Sequence, residues 1–137
     1  MKTTLISKIF FPLLALTFMA LAAVPASAEC LIYKGHFGYD VIGHVQNGTV
    51  LKERFGYTAV ARIQDSKIYE GQYSYNVLAH LDGGVIYRES YGYTVLGRVD
   101  DVRIYDSQFG YNVAAHSEGC TKEETAAGGA AVLLGLI

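Results

Sequence analysis

The chain has 137 residues, of which 51% are hydrophobic, and its 11 basic and 13 acidic side chains leave a formal charge of −2. A slightly acidic chain with scattered charges lacks the basic patch that nucleic-acid binding requires, so that class of function is excluded. Eleven tyrosines and no tryptophan indicate a β-rich protein with many half-buried aromatic positions.

Residues 1–28 are predicted to be a signal peptide. Lys2 and Lys8 give a positive start, residues 9–24 are almost wholly apolar, and residues 26–28 form the small-x-small cleavage site Ala-Ser-Ala. The alternative, an uncleaved membrane anchor, is disfavoured because the apolar run is shorter than the ~20 residues that a membrane span needs. We therefore expect an exported protein, periplasmic or extracellular.

An 18-residue repeat fills residues 29–120. Its five copies begin at Ile32, Val50, Ile68, Ile86 and Ile104. Each copy opens on an apolar pair, usually Ile-Tyr, and continues through an aromatic–small–tyrosine segment to turn residues such as Asn47-Gly48. Because Asn-Gly and Asp-Gly between apolar segments favour two-residue hairpin turns, each copy is predicted to hold two strands. The second strand should start at the tyrosine and run for about seven residues.

Two cysteines decide how about ten antiparallel strands are arranged. Cys30 and Cys120 are 90 residues apart, which is five periods, so they occupy the same phase of the repeat. In a β-helix of five rungs they would lie about 24 Å apart at ~4.8 Å per rung, whereas a disulfide requires Cα atoms ~4.4–6.8 Å apart. In a closed ring of five repeats, two residues that are five periods apart lie next to each other. The predicted fold is therefore all-β with one helix, a closed five-fold antiparallel β-hairpin barrel sealed by a disulfide, as suits an exported chain.

Residues 121–137 leave the repeat and are predicted to form an apolar helix that plugs the barrel. Thr121 and Glu124 have the spacing of a capping box, and a helix that is apolar all round needs burial on every side. The predicted plug residues are Ala126, Ala127, Ala130, Ala131, Val132, Leu133, Leu134, Leu136 and Ile137. A column that is small in every copy would line the bore: Gly43, Ala61, Ala79, Gly97 and Ala115.

Strict alternation of side chains between the two faces of a strand conflicts with one column of apolar residues. If the small column points inward, Leu78 and its equivalents Ile42, Val60 and Leu96 would point outward. Two explanations stay open: a bulge that shifts the register, or an apolar belt around the outside of the barrel.

The repeat core, written Y-x-V-[IL]-G-x-V-x-[DN]-G-x-[VI], lies between the predicted signal peptide and an alanine-then-apolar tail. This arrangement resembles the five-fold β-flower proteins, a bacterial family, over all five repeats and the tail. The resemblance implies a shallow symmetric barrel of short hairpins without an established activity. The similarity of such barrels to tubby-like and scramblase-type domains suggests lipid as a ligand. A second likeness, in "YKGHF" and "YEGQY", is to membrane-associated repeats of the Tyr-x-Gly-x-aromatic type.

Catalytic constellations are missing from the sequence. Both cysteines are expected to be oxidised, and no serine lies in a Gly-x-Ser-x-Gly elbow. One cationic column would form a circle at one level of a closed ring: His44, Arg62, His80, Arg98 and His116. It could hold an anionic group, more tightly as falling pH protonates the histidines; the alternative is an exposed position where any polar residue serves. No metal or cofactor is predicted.

The sequence therefore predicts a non-enzymatic protein of the cell envelope. We expect it to bind membrane lipid, or another apolar or anionic ligand, through its apolar tail or an outer apolar belt. The alternative is a structural or interaction module that presents a repetitive tyrosine-rich surface to an envelope protein.

Overall fold

Ten β-strands and one α-helix make up residues 29–137, the part of the chain that the computed structural model describes. They are β1 (Cys30–Lys34), β2 (Val41–Gln46), β3 (Thr49–Lys52), β4 (Ala59–Gln64), β5 (Lys67–Glu70), β6 (Val77–Asp82), β7 (Val85–Arg88), β8 (Val95–Asp100), β9 (Arg103–Tyr105), β10 (Val113–Glu118) and α1 (Lys122–Leu133). The predicted signal peptide, residues 1–28, lies outside the described residues.

The strands close into one antiparallel barrel. Each strand pairs with its neighbours in the chain, and β1 also pairs with β10, with Leu31 opposite Glu118. At this seam a disulfide joins Cys30 to Cys120, whose Cα atoms are 4.5 Å apart across 90 residues of chain. The predicted closed barrel and its disulfide are confirmed. Closing so long a loop restricts the unfolded chain and stabilises the fold by roughly 4–5 kcal/mol in the chain-entropy model.

Two kinds of connection alternate around the barrel. At one end, two-residue turns join the strands of each hairpin; in the first, Asn47 and Gly48 have φ values of 53° and 76°, which suit the twist of a hairpin. At the other end, longer segments join each odd strand to the next even strand: residues 35–40, 53–58, 71–76, 89–94 and 106–112. The even strands therefore begin two residues after the tyrosine of each repeat, not at it as predicted.

Every even strand contains one bulged residue. Ile32 pairs with Gly43 and Tyr33 pairs with Val41, so Ile42 has no partner opposite it on β1. The same register shift recurs at Val60, Leu78, Leu96 and Ala114. Of the two explanations for the misfit in alternation, the bulge is the one present. The side chains of Ile42, Val60 and Leu96 are partly buried and pack against the core rather than forming an outer belt.

Helix α1 runs through the inside of the barrel. Its residues 125–131 are all buried, and the wall isoleucines Ile32 and Ile104 have no exposed surface. A side-chain carbon added at Gly128 would lie 2.7 Å from Ile32 Cγ1, and one at Gly129 would lie 2.9 Å from Ile104 Cγ1. The helix therefore meets the wall through bare backbone, an approach that only glycine allows at this distance.

The small column of the repeat lies on the same inner face. Its alanines, which are fully buried, are Ala61, Ala79 and Ala115. A side-chain carbon at Gly43 would lie 2.9 Å from Ile137 Cδ1, and one at Gly97 would lie 2.6 Å from Leu133 Cδ1. The column thus leaves room for the larger side chains of the tail, which are partly buried against the core: Val132, Leu133, Leu134, Leu136 and Ile137.

The helix begins beside the disulfide with the predicted capping box. The Glu124 N–H donates to Thr121 Oγ1 at 3.2 Å, and the Thr121 N–H donates to Glu124 Oε1 at 2.8 Å. Further along, the hydroxyl groups of Ser117 and Thr125 share a buried hydrogen bond of 2.7 Å. Because an unpaired buried hydroxyl is costly, this bond fixes the depth and rotation of the helix against β10.

We expect Gly128→Ala to lower the free energy of unfolding by about 1–3 kcal/mol, the usual cost of overpacking a core. On an exposed helix the same change would raise it by ~1 kcal/mol, because alanine is the better helix former. Urea unfolding of Gly128→Ala, Ile32→Ala and the double variant measures the effect. The double variant should lose less than the sum of the single losses. A stabilised Gly128→Ala variant would contradict the position of the helix.

Candidate functional site

Ten aromatic side chains project from the five long connections, which we call the aromatic loops. They are Phe37, Tyr39, Phe55, Tyr57, Tyr73, Tyr75, Tyr91, Tyr93, Phe109 and Tyr111. Their exposed fractions run from 77% to 94%, so the prediction of half-buried aromatic positions was wrong for these residues. The cause is local: the even strands begin only after these residues, so the rings have no sheet against which to pack.

Each aromatic loop is closed at its base by a backbone hydrogen bond. In the first loop the Lys34 N–H donates to Asp40 O at 3.0 Å, and its equivalents in the other loops are 2.8–3.2 Å long. Between the two aromatic residues the chain passes close to itself, and a side-chain carbon at Gly38 would collide with the Lys34 carbonyl oxygen. The small residue therefore permits a tight loop with both aromatic side chains turned outward.

The cationic column lies on the outer face of the even strands, since the residues on either side of His44, Gly43 and Val45, are buried. Each member donates a hydrogen bond to a backbone carbonyl of an aromatic loop: His44 to Glu53, Arg62 to Ser74, His80 to Glu89, Arg98 to Ser107, Gln108 and Gly110, and His116 to Gly35. We call these contacts the loop clasps. The three histidine bonds are 2.7 Å long, and each places the ring hydrogen on Nδ1 because a carbonyl oxygen only accepts.

The positions of the clasp residues can be compared with the anion-binding ring predicted for the cationic column. The five side chains lie at one level, one on each even strand, but they are spread around the outer wall of the barrel. Each is engaged with its own loop, so the structure does not gather them around a shared ligand. Their evident role is to position the aromatic loops, and anion binding by the column stays a prediction.

Four of the five clasps are backed by a tyrosine on a neighbouring odd strand. The pairs are His80–Tyr87 and His116–Tyr33, with ring centroids 5.0 Å apart, and Arg62–Tyr69 and Arg98–Tyr105, with the guanidinium carbon 4.5 and 3.9 Å from the ring centroid. At the first hairpin Leu51 lies opposite His44. The sequence signal for three of these pairs is a tyrosine seven residues after the cationic position, across a hairpin turn.

One of these tyrosines has a perturbed acidity. Desolvation and then a hydrogen bond with Glu118 raise the pKa of the Tyr33 phenol above its ordinary value. The resulting contribution to stability is complete below the pKa of the unfolded chain, and it declines as the pH rises through the folded value. Tyr33 therefore remains neutral at physiological pH, where it stacks on His116 and joins the first strand to the last.

Two kinds of chemical group are absent from the described range. Residues 29–137 contain no group of three His, Cys, Asp or Glu side chains placed to hold a metal ion, and no free cysteine. No helix in this part of the chain is long and apolar enough to cross a membrane. The candidate functional site is therefore the set of aromatic loops together with their clasps.

Replacing one histidine should loosen one loop only. We expect His80→Ala to speed amide hydrogen exchange about fivefold at Arg88, since one hydrogen bond contributes ~1 kcal/mol; the Arg88 N–H closes that loop on Thr94 O at 2.8 Å. The other four loops serve as internal controls, and His36→Ala removes a loop histidine outside the column. Unchanged exchange at Arg88 in His80→Ala would show that the clasp does not hold the loop.

Comparison with known proteins agrees with this architecture. A family model described as the 6-fold beta flower protein matches residues 32–136, which span the five repeats and the helix. The description gives six-fold symmetry, whereas this chain has five hairpin repeats. No curated protein and no solved structure matches the chain. The resemblance to β-flower proteins is confirmed, and the chain belongs to the family of 6-fold beta flower proteins.

Proposed function

We propose that this protein is an exported, non-enzymatic binding module that adheres to the lipid–water interface of a membrane through its aromatic loops. The observation that carries the proposal is the exposure of ten aromatic side chains, each with 77–94% of its surface in solvent. Exposed apolar surface on this scale marks an interaction site. Tyrosine and phenylalanine rings suit the depth of the lipid headgroups, where tyrosine keeps its hydroxyl hydrated.

The repetition of the loops favours an extended surface as the partner. Five loops of similar sequence each present two aromatic rings, and a clasp holds each loop in place. Contacts of equal chemistry around a ring suit a partner that is laterally uniform, as a membrane is. Individually weak contacts then reinforce one another, because the first loop that binds raises the effective concentration of the rest.

The apolar tail, which the sequence suggested as the lipid contact, is not the part of the protein that we propose to contact lipid. Ala126, Ala127, Ala130 and Ala131 have no exposed surface because the barrel wall surrounds them. The outer belt is not supported either, since Ile42, Val60 and Leu96 pack against the core and Leu78 is half-buried. The aromatic loops take over the role that the tail and the belt were expected to have.

Charge sets the character of the expected binding. Residues 29–137 carry nine basic and thirteen acidic side chains, so attraction to anionic lipid is not the driving force. Adhesion depends on burial of rings, and it should change little with ionic strength. Export rests on the predicted signal peptide, and a non-enzymatic role is supported by membership of a family that is not known for an enzymatic activity.

A protein partner is the second candidate function. Seven of the ten exposed aromatic residues are tyrosines, and tyrosine is enriched at protein interfaces because it combines large contact area with a hydrogen-bonding hydroxyl. In this alternative the loops would present a repetitive tyrosine-rich surface to a protein of the cell envelope.

Co-sedimentation with vesicles of phosphatidylcholine, with and without phosphatidylglycerol, tests the proposal. We expect the protein to sediment with both kinds of vesicle. Changing five loop tyrosines to serine should return it to the supernatant: Tyr39, Tyr57, Tyr75, Tyr93 and Tyr111. These side chains are 87–94% exposed, so the barrel should fold unchanged, which circular dichroism checks.

The matched control changes a residue next to the tyrosine in three of the loops: Asp40→Ser, Thr58→Ser and Thr94→Ser. This variant should sediment like the parent protein. Parent protein that stays in the supernatant with both vesicle types would contradict lipid adhesion. Capture of a defined envelope protein by the parent, and not by the five-tyrosine variant, would then establish the alternative.

A further inference from the structure

All five aromatic loops lie at the same end of the barrel, which we call the loop end. Each loop joins an odd strand to the next even strand, so the ten exposed rings surround the mouth of the barrel. An aromatic side chain offers ~150–250 Å² of surface, and these rings are at least 77% exposed. Together they present more than the ~800 Å² that each partner buries in a protein interface of standard size.

One charged residue stands at the base of each aromatic loop, where the odd strand ends. These residues, which we call the rim charges, are Lys34, Lys52, Glu70, Arg88 and Asp106, all exposed. The first four pair with members of the inward-facing small column, so they border the mouth of the barrel. Asn76 donates a hydrogen bond of 2.9 Å to Glu70 Oε2. Asn112 donates to Asp106 Oδ2 in the same way, so both rim carboxylates are held in place.

The order of the rim charges around the barrel is self-complementary. When two such loop ends meet loop to loop about a two-fold axis, one loop lies on the axis and meets its own copy, and the other loops meet in pairs. With the first loop on the axis, the second loop meets the fifth and the third meets the fourth. Lys52 then lies opposite Asp106 of the other copy, and Glu70 lies opposite Arg88. By symmetry each of these attractive contacts occurs twice.

The four other registers bring like charges together. With the third loop on the axis the cations of the second and fourth loops meet, and with the fifth loop on the axis those of the first and fourth meet. With the fourth loop on the axis the carboxylates of the third and fifth loops meet. With the second loop on the axis, Lys52 and Arg54 meet their own copies. The first loop has no net charge, because it carries Asp40 beside Lys34. The charges therefore favour one register.

The opposite end of the barrel, which we call the turn end, repels its own copy. Its hairpin turns, the adjoining strand ends and the first turn of α1 carry eight acidic residues: Glu29, Asp65, Asp82, Asp100, Asp101, Glu118, Glu123 and Glu124. The basic groups there are Lys67, Arg103 and Lys122, and cleavage after residue 28 would add one α-ammonium group. Like charge disfavours contact between two turn ends, and the closed sheet has no free strand edge to pair.

We propose that the protein dimerises face to face in solution, with the aromatic loops of two copies in contact and the first loops on the two-fold axis. Burial of the rings drives association, and the rim charges set the register. The clasps brace the loops before they meet, so little order has to be gained on association. The inference does not rest on membrane adhesion, although a membrane would compete for the same loops.

Sedimentation equilibrium of the disulfide-bonded protein, without vesicles, tests the inference. We expect a dimer with a Kd of roughly 10 μM or below, and a monomer for the five-tyrosine variant. Lys52→Glu and Asp106→Lys should each weaken dimerisation about fivefold, since repulsion replaces attraction at two symmetry-related contacts. The double variant should recover the affinity of the parent protein, because the exchanged charges attract again. The matched control, Lys52→Glu with Asp65→Lys at the turn end, has the same net charge and should stay weak.

A monomer at all concentrations, an undiminished dimer of the five-tyrosine variant, or a double variant no tighter than Lys52→Glu would overturn the proposal. Association beyond the dimer would also overturn it, because face-to-face contact uses the loop end of each copy. Failure of this proposal is distinguishable from failure of membrane adhesion. A dimer that does not sediment with vesicles contradicts adhesion alone, and a monomer that sediments with them contradicts dimerisation alone.

Discussion

The structure depends on the close fit between a closed ten-stranded wall and the helix inside it. Gly128 and Gly129 approach Ile32 and Ile104 so closely that one added carbon on either glycine would collide. Pairing of β1 with β10 and the disulfide between them hold the wall around the helix. Because the ring has no free strand edge, it needs no other covering to avoid pairing with a second chain.

This closure determines which residues remain for function. The helix and the small column fill the inside, so the alanines of the apolar tail are core and its larger side chains are partly buried against that core. The cationic column faces outward and is taken up by the loop clasps. The surface that remains exposes more aromatic side chains than an ordinary protein surface does. Each of the five aromatic loops presents two of these rings. The proposed adhesion to a lipid interface is based on these exposed aromatic rings.

The ring could be predicted from the sequence because its evidence is additive over repeats: a fixed period, turn residues in phase, and cysteines one full circuit apart. The aromatic residues were misjudged because tyrosine favours strands, and alternation cannot reveal a bulge such as the one at Ile42. A cleft lined by Glu29, Tyr57 and Glu124 could not be predicted from the sequence, since these residues come together only through tertiary folding. Only the replacement of tyrosine by Leu51 set the first hairpin apart.

The most direct test of the central claim is a methyl-resolved NOESY spectrum of the disulfide-bonded protein with labelled isoleucine methyl groups. A helix within the barrel predicts cross-peaks from the Ile32 δ1 methyl to the Gly128 α protons and from the Ile104 methyls to those of Gly129, whose positions are in van der Waals contact. Folded protein that shows the strand pairing of β1 with β10 but lacks both sets of cross-peaks would contradict the account.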